Sequence, residues 1–134
     1  HMFPILNGEK AISTTFHWMV PEVDRGFLAW EEIDLIEQED TAFDLGKKAK
    51  KSCSNLCNKF IDHILDVGLN NLKIPKKSIL GKGKFFHVNE IQPLKRIESI
   101  SNFTEVDRKS RAFFQPPHEP AFFELNGKKF YTFT

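Results

Sequence analysis

Between Thr41 and Val67 the side chains of Leu45, Ala49, Cys53, Leu56, Cys57, Phe60, Ile61, Ile64 and Leu65 recur at spacings of three and four. That period gathers them on one stripe of an α-helix, and a helix with a single apolar stripe must bury it against something else. The ends are marked too. Asp40 or Thr41 can accept a hydrogen bond from a free first-turn amide, Asp44 sets a carboxylate near the positive end of the dipole, and Gly68 suits a left-handed ending.

The flanking segments read as strands. Ile12–Val20 is rich in β-branched and aromatic residues and stops at Pro21; alternation would put Phe16 and Trp18 on one face and His17 and Met19 on the other. Arg25–Glu39 carries both a three-residue and a two-residue apolar period, and Gly26 at its head favours a strand. Phe85–Ile91 is expected to be a further strand, and Pro93–Phe114 has helical spacing with Thr104 as a cap. At the C-terminus, AFFEL, Asn126-Gly127 and KKFYTFT spell a β-hairpin with a two-residue primed turn. Its register opposes Phe122 to Tyr131 and Glu124 to Lys129, so that the last two can pair across the strands.

Together these give an α+β fold: an antiparallel sheet with a C-terminal β-hairpin, packed on one long amphipathic helix at about 41–67. At 134 residues the expectation is one globular domain over 1–134, which can equally be a part excised from a larger protein. His1 before Met2 suggests that the natural chain starts at Met2. No run approaches a membrane span, no secretory leader is evident, and the two cysteines, Cys53 and Cys57, fit a reducing cytoplasm better than a disulfide scaffold. Both read as small buried hydrophobes of the helix. A cytoplasmic location is expected, with no cofactor and no membrane partner.

Charge is sorted along the chain. Residues 1–44 hold ten acids against Lys10 and Arg25, whereas residues 45–97 hold twelve Lys or Arg against Asp62, Asp66 and Glu90. The near-neutral total of +1 therefore covers two opposed local fields. The positive one includes Lys47, Lys48, Lys50 and Lys51 in the first turns of the helix, then Lys73, Lys76, Lys77, Lys82 and Lys84. Phe85 and Phe86 follow immediately. Phe occurs 14 times in all, enough to fill a core and still leave rings to stack. Lysines for a phosphate backbone beside rings for bases point to a nucleic-acid-binding module, for DNA or RNA. The alternative is a solvated lysine face beside a core strand. The GKGK run, Gly81 to Lys84, lacks the spacing of a phosphate-binding P-loop.

Two enzymatic readings compete with simple binding. His87, beside the basic loop, and then His17 are the candidate proton carriers for a metal-free ribonuclease or phosphodiesterase. Glu32 and Asp34 share one face of a strand and are the candidates for a divalent metal, although the acid–x–lysine pattern of two-metal nucleases is missing. A third reading is a protein-interaction domain, homodimeric or with another partner, using the acidic N-terminal third and the Phe-rich hairpin. Whether the protein is an enzyme stays open at this level, with the balance towards binding.

Overall fold

A computed structural model describes residues 1–21, 26–78 and 86–132. The elements are α1 (Met2–Asn7), β1 (Ala11–His17), β2 (Leu28–Leu35), α2 (Ala42–Val67), a short 3₁₀ turn (Leu69–Asn71), α3 (Val88–Leu94), α4 (Phe103–Phe113), β3 (Phe122–Leu125) and β4 (Lys128–Tyr131). This is the expected α+β fold, with a long helix, a two-stranded antiparallel sheet β1–β2 and the C-terminal hairpin β3–β4. The chain forms two compact units. Unit 1 holds residues 1–12, 35–47 and 84–134; unit 2 holds residues 13–34 and 48–83.

In unit 1 the start of α2 and the hairpin share one core. Ala42 and Leu45 are fully buried and cluster with Ile5, Ile97, Ala112, Phe113 and Ala121, while Phe123 of β3 packs against the cluster. The residues just before α2 order its first turn. The Thr41 hydroxyl donates to Asp44 Oδ2 at 2.7 Å, and that carboxylate also accepts the Thr41 backbone N–H at 3.3 Å. Arg111 of α4 then reaches back to this turn, chelating the Asp107 carboxylate and donating from Nη1 to the Asp40 carbonyl at 3.1 Å.

The hairpin has the expected register, Phe122 opposite Tyr131 through Leu125 opposite Lys128. Asn126 and Gly127 both take positive φ, 52° and 74°, as a type I′ turn requires. Glu124 and Lys129 face each other but do not pair. Lys129 Nζ goes instead to Glu119 at 3.0 Å and lies over the Phe122 ring, and Glu124 stands 4.0 Å from Arg96.

Two other segments depart from expectation. Residues 88–94 are helical, although a strand is expected over Phe85–Ile91: the Glu90 carboxylate accepts the His87 backbone N–H at 3.2 Å and supports a first helical turn, while Ile91 and Leu94 pack on the core. The cap of α4 is Asn102 rather than Thr104, its side-chain oxygen accepting from the Glu105 N–H at 3.2 Å. Glu105 folds back to the Glu98 N–H at 3.0 Å.

In unit 2, β1 and β2 pair antiparallel, with the Trp18 N–H donating to Phe27 O at 2.9 Å where the strands close. The face of β2 bearing Trp30, Glu32 and Asp34 meets α2. There the Ser52 hydroxyl donates to Asp34 at 2.6 Å, the Asn55 amide donates to Glu32 at 2.8 Å, and Phe16, Trp30 and Phe60 form a ring cluster. The helix is thereby rotated away from the expected stripe. Ser52 and Leu56 are buried, whereas Cys53 and Cys57 are exposed free thiols instead of core residues.

Three carboxylates of unit 1 titrate below their ordinary values. Asp44 is lowered from 3.8 chiefly by the Thr41 hydroxyl, Glu105 from 4.5 by the Glu98 backbone N–H and then Lys109, and Glu119 from 4.5 by Lys129. A carboxylate depressed in the folded state contributes stability that is complete above its ordinary value and is lost as pH falls through the folded one. The unfolding midpoint is therefore expected to hold steady above about pH 5 and to drop on acidification below it. Asp44→Asn and Glu105→Gln should flatten that dependence. A parent midpoint unchanged down to about pH 3 would contradict these assignments.

Candidate functional site

The chemistry-bearing side chains of unit 2 collect at the closed end of its strand pair. β1 stops at His17. The Trp18 indole N–H donates to the Pro75 carbonyl at 3.0 Å, and Lys76 Nζ lies 4.9 Å from the Trp18 ring centroid. The 73–77 segment is fixed to β2 by paired backbone hydrogen bonds between Lys77 and Leu28, each 2.8 Å. Gly26 is buried where a Cβ would fall 1.5 Å from the Trp18 carbonyl oxygen and 3.4 Å from the His17 ring. Only glycine permits that approach, and it lies directly beside His17.

Pro75 also borders a groove of about 560 Å³ between α2, Trp30 and the 73–75 segment. Two rows of α2 face it at four-residue spacing, one bearing Asn55, Lys59 and His63, the other Asn58, Asp62 and Asp66. His63 meets the edge of Trp30 at 6.0 Å, and its Nε2 lies 3.3 Å from the Lys73 carbonyl. Donation by Nε2 to that carbonyl leaves Nδ1 as the proton-accepting nitrogen. Lys59 Nζ stands 5.2 Å from the Trp30 centroid. An aromatic wall with carboxamides, carboxylates and ammonium groups suits a hydroxyl- or amine-bearing small molecule. Sequence reasoning counts His63 among the histidines that could carry a proton but does not single out this groove; Asn55, Lys59 and His63 at one-turn intervals are the signal that points to it.

The residues expected to hold nucleic acid have other surroundings. Lys47 pairs with Asp44 at 3.3 Å and lies over Phe43, both in unit 1. Lys48, Lys50 and Lys51 belong to unit 2, where the last two are exposed on α2. Lys73 contributes its carbonyl to His63, Lys76 covers Trp18, and Lys77 bridges to Leu28. Phe86 stacks on Phe3 with centroids 3.5 Å apart, so its face is already covered by a ring of unit 1. Lys82, Lys84 and Phe85 lie outside the described residues. His87 belongs to unit 1, at the start of α3, and His17 to unit 2. Glu32 and Asp34 do share a strand face, and both accept hydrogen bonds from α2. Among the described residues no three His, Cys, Asp or Glu side chains gather as a metal site. Among them, too, no helix is long and apolar enough to cross a membrane.

Comparison with known proteins decides between the functional readings. A 4-N formyltransferase from Francisella tularensis superposes on 99% of this chain with a TM-score of 0.81 and 25% identity, the match covering 54% of that structure. This chain is similar to the sugar N-formyltransferases. A GDP-perosamine N-formyltransferase of Brucella melitensis is 27% identical over 127 residues, 95% of this chain and 46% of the Brucella protein. An N-formyltransferase from Helicobacter canadensis, solved with folinic acid and dTDP-3-aminofucose, shares the fold over 96% of this chain and 45% of its own, with a TM-score of 0.73 and 23% identity. No family model matches. The chain thus spans about half the length of the relatives it matches.

These likenesses overturn the expectation of a nucleic-acid-binding module, with DNA or RNA as partner, and with it the alternatives of a nuclease and of a protein-interaction domain. The balance towards a non-enzyme falls as well, because the proteins that match are transferases. Sorted charge misled here because a block of lysines in sequence is not a surface. Folding divides these between two units and sets several of them against the protein's own rings and carboxylates.

Proposed function

We propose that this chain is part of a sugar N-formyltransferase, and that it serves transfer of a formyl group from a reduced-folate donor to the amine of a nucleotide-linked amino sugar. The observation that carries the reading is the superposition on the Francisella formyltransferase over 99% of the chain at 25% identity. The ligands of the Helicobacter enzyme, folinic acid and a dTDP-linked amino sugar, supply the two substrate classes. A cytoplasmic setting belongs to the same proposal, consistent with the free thiols Cys53 and Cys57.

Formyl transfer to an amine forms one C–N bond and breaks another. The attacking nitrogen must lose a proton, and the oxygen of the tetrahedral carbon must be stabilised while it carries negative charge. We assign the proton to His17, a histidine at a strand end close to Gly26. In the full-length protein that contains this chain, incubated with formyl-tetrahydrofolate and a panel of dTDP- and GDP-linked amino sugars, mass spectrometry is expected to detect the formamide of one of them. His17→Gln should lower kcat by about 10²- to 10⁴-fold with a smaller change in KM. Absence of any formylated sugar across the panel would sink the reading. A His17→Gln enzyme with parental kcat would remove only the residue assignment.

A further inference from the structure

Unit 1 contains a second cavity, of about 490 Å³, whose walls are mostly apolar. Met2, Ile91 and Phe113 line it, with the carboxamides of Gln92 and Gln115 and the imidazole of His118 at the same surface. Lys95 opens onto it although that residue is only 7% exposed. A buried ammonium is costly unless anions or acceptors surround it. Here Lys95 Nζ reaches Glu119 Oε2 at 3.5 Å, the long end of hydrogen bonding. The other oxygen of that carboxylate is held more closely, by Lys129 at 3.0 Å and the Tyr131 hydroxyl at 3.2 Å. Two ammonium groups thus share one carboxylate, and the cluster keeps a net positive charge at the foot of an apolar pocket. An ammonium has three N–H donors, so a long contact to a carboxylate already bound elsewhere leaves Lys95 capacity for a further acceptor.

We propose that this pocket binds a small amphipathic anion, a planar ring bearing a carboxylate or phosphate. The ring lies against Met2, Ile91 and Phe113, its polar edge meets Gln92 and Gln115, and the anionic group is held by Lys95. A cation is disfavoured by the excess of ammonium groups, and a wholly apolar ligand would leave Lys95 no better satisfied than before. The proposal goes beyond the formyl-transfer reading and rests on it only for the two sources of such a ligand, a folate's benzoylglutamate or a nucleotide.

Amide NMR titrations of the protein with dTDP and, separately, with folinic acid test it. One of the two is expected to shift the amides of Ile91, Gln92 and residues 115–119, and which one does so identifies the source. Lys95→Met keeps most of the unbranched side chain and removes the charge; it should weaken that binding about tenfold or more. Should this variant melt far below the parent, Ile91→Trp, which fills the cavity and leaves Lys95 in place, must abolish the same shifts. Shifts confined to other residues, no shifts with either compound, or parental affinity in the folded variants would overturn the proposal. The formyl-transfer assay on the parent is read separately: transfer without occupancy of this pocket refutes only the pocket, and occupancy without transfer refutes only the enzymatic reading.

Discussion

Gly26→Ala is expected to lower the unfolding midpoint by about 15 °C or more, and to abolish the proposed formyl transfer with it. The added methyl would lie 1.5 Å from the carbonyl oxygen of Trp18. That oxygen belongs to the backbone, so no side-chain rotation relieves the overlap. Strand closure has to open, which breaks the Trp18 N–H to Phe27 O bond of 2.9 Å and disturbs the strand end beside His17. Losses of this kind belong to the rare class of single substitutions that cost about 4 kcal/mol or more. Thermal unfolding monitored by tryptophan fluorescence is suited to the test, because Trp18 and Trp30 both report on unit 2. A variant that melts with the parent would show that the two segments can separate at little cost, and the description of the strand end would be wrong.

Leu45→Ala should be the second severe change, costing about 3–5 kcal/mol. Leu45 is fully buried, in a core where α1, α2, α4 and the hairpin segment meet. Truncation removes the transfer energy of the lost methyls and leaves a cavity that neighbours such as Ala42, Ala112 and Ala121 are too small to fill. Leu65→Ala is the matched control. It lies on the same helix and makes the same chemical change, but Leu65 is 76% exposed, and its loss should fall within about 0.5 kcal/mol of zero. Chemical denaturation of the two variants side by side gives the comparison. Equal midpoints for both would contradict the assigned face of α2.

The contrast between Leu45 and Leu65 also marks how far the sequence could be read. Both belong to the apolar stripe that identifies α2, and the helix, its first-turn order and its end at Gly68 follow from local chemistry that a sequence displays. The hairpin was equally legible, because Asn126-Gly127 permits few alternatives and dictates which residues face each other. Which arc of α2 is buried was not legible. It depends on β2 presenting Asp34 and Glu32 to the helix, which rewards Ser52 and Asn55 at positions where periodicity alone places Cys53 and Cys57. Residues 88–94 were misjudged for a related reason: one Glu90 carboxylate on the His87 N–H supports a helical turn in a segment whose composition suits a strand.

The candidate site was less visible still. His17 could be named from its strand position only as a candidate proton carrier, and that role stays a proposal. Its environment could not, since the close approach of Gly26 to Trp18 is a tertiary fact. The lysines dominated the reading because charge is conspicuous in sequence while its neutralisation is not. Lys47 on Asp44 and Phe43, Lys59 on Trp30 and Lys76 on Trp18 are all pairings that exist only after folding. The buried Lys95 passed unnoticed within the same positive block, although it is the lysine whose surroundings say most about a ligand.

Parallel calorimetric titrations at one ionic strength bear most directly on the central claim, that this fold serves small-molecule group transfer. Folinic acid and a nucleotide-linked amino sugar would be titrated in turn, beside single-stranded DNA and RNA. Saturable binding of at least one of the two small molecules is expected, with no salt-sensitive heat from either oligonucleotide. Tight oligonucleotide binding that weakens steeply with salt, together with no response to the donor or the sugar, would contradict it.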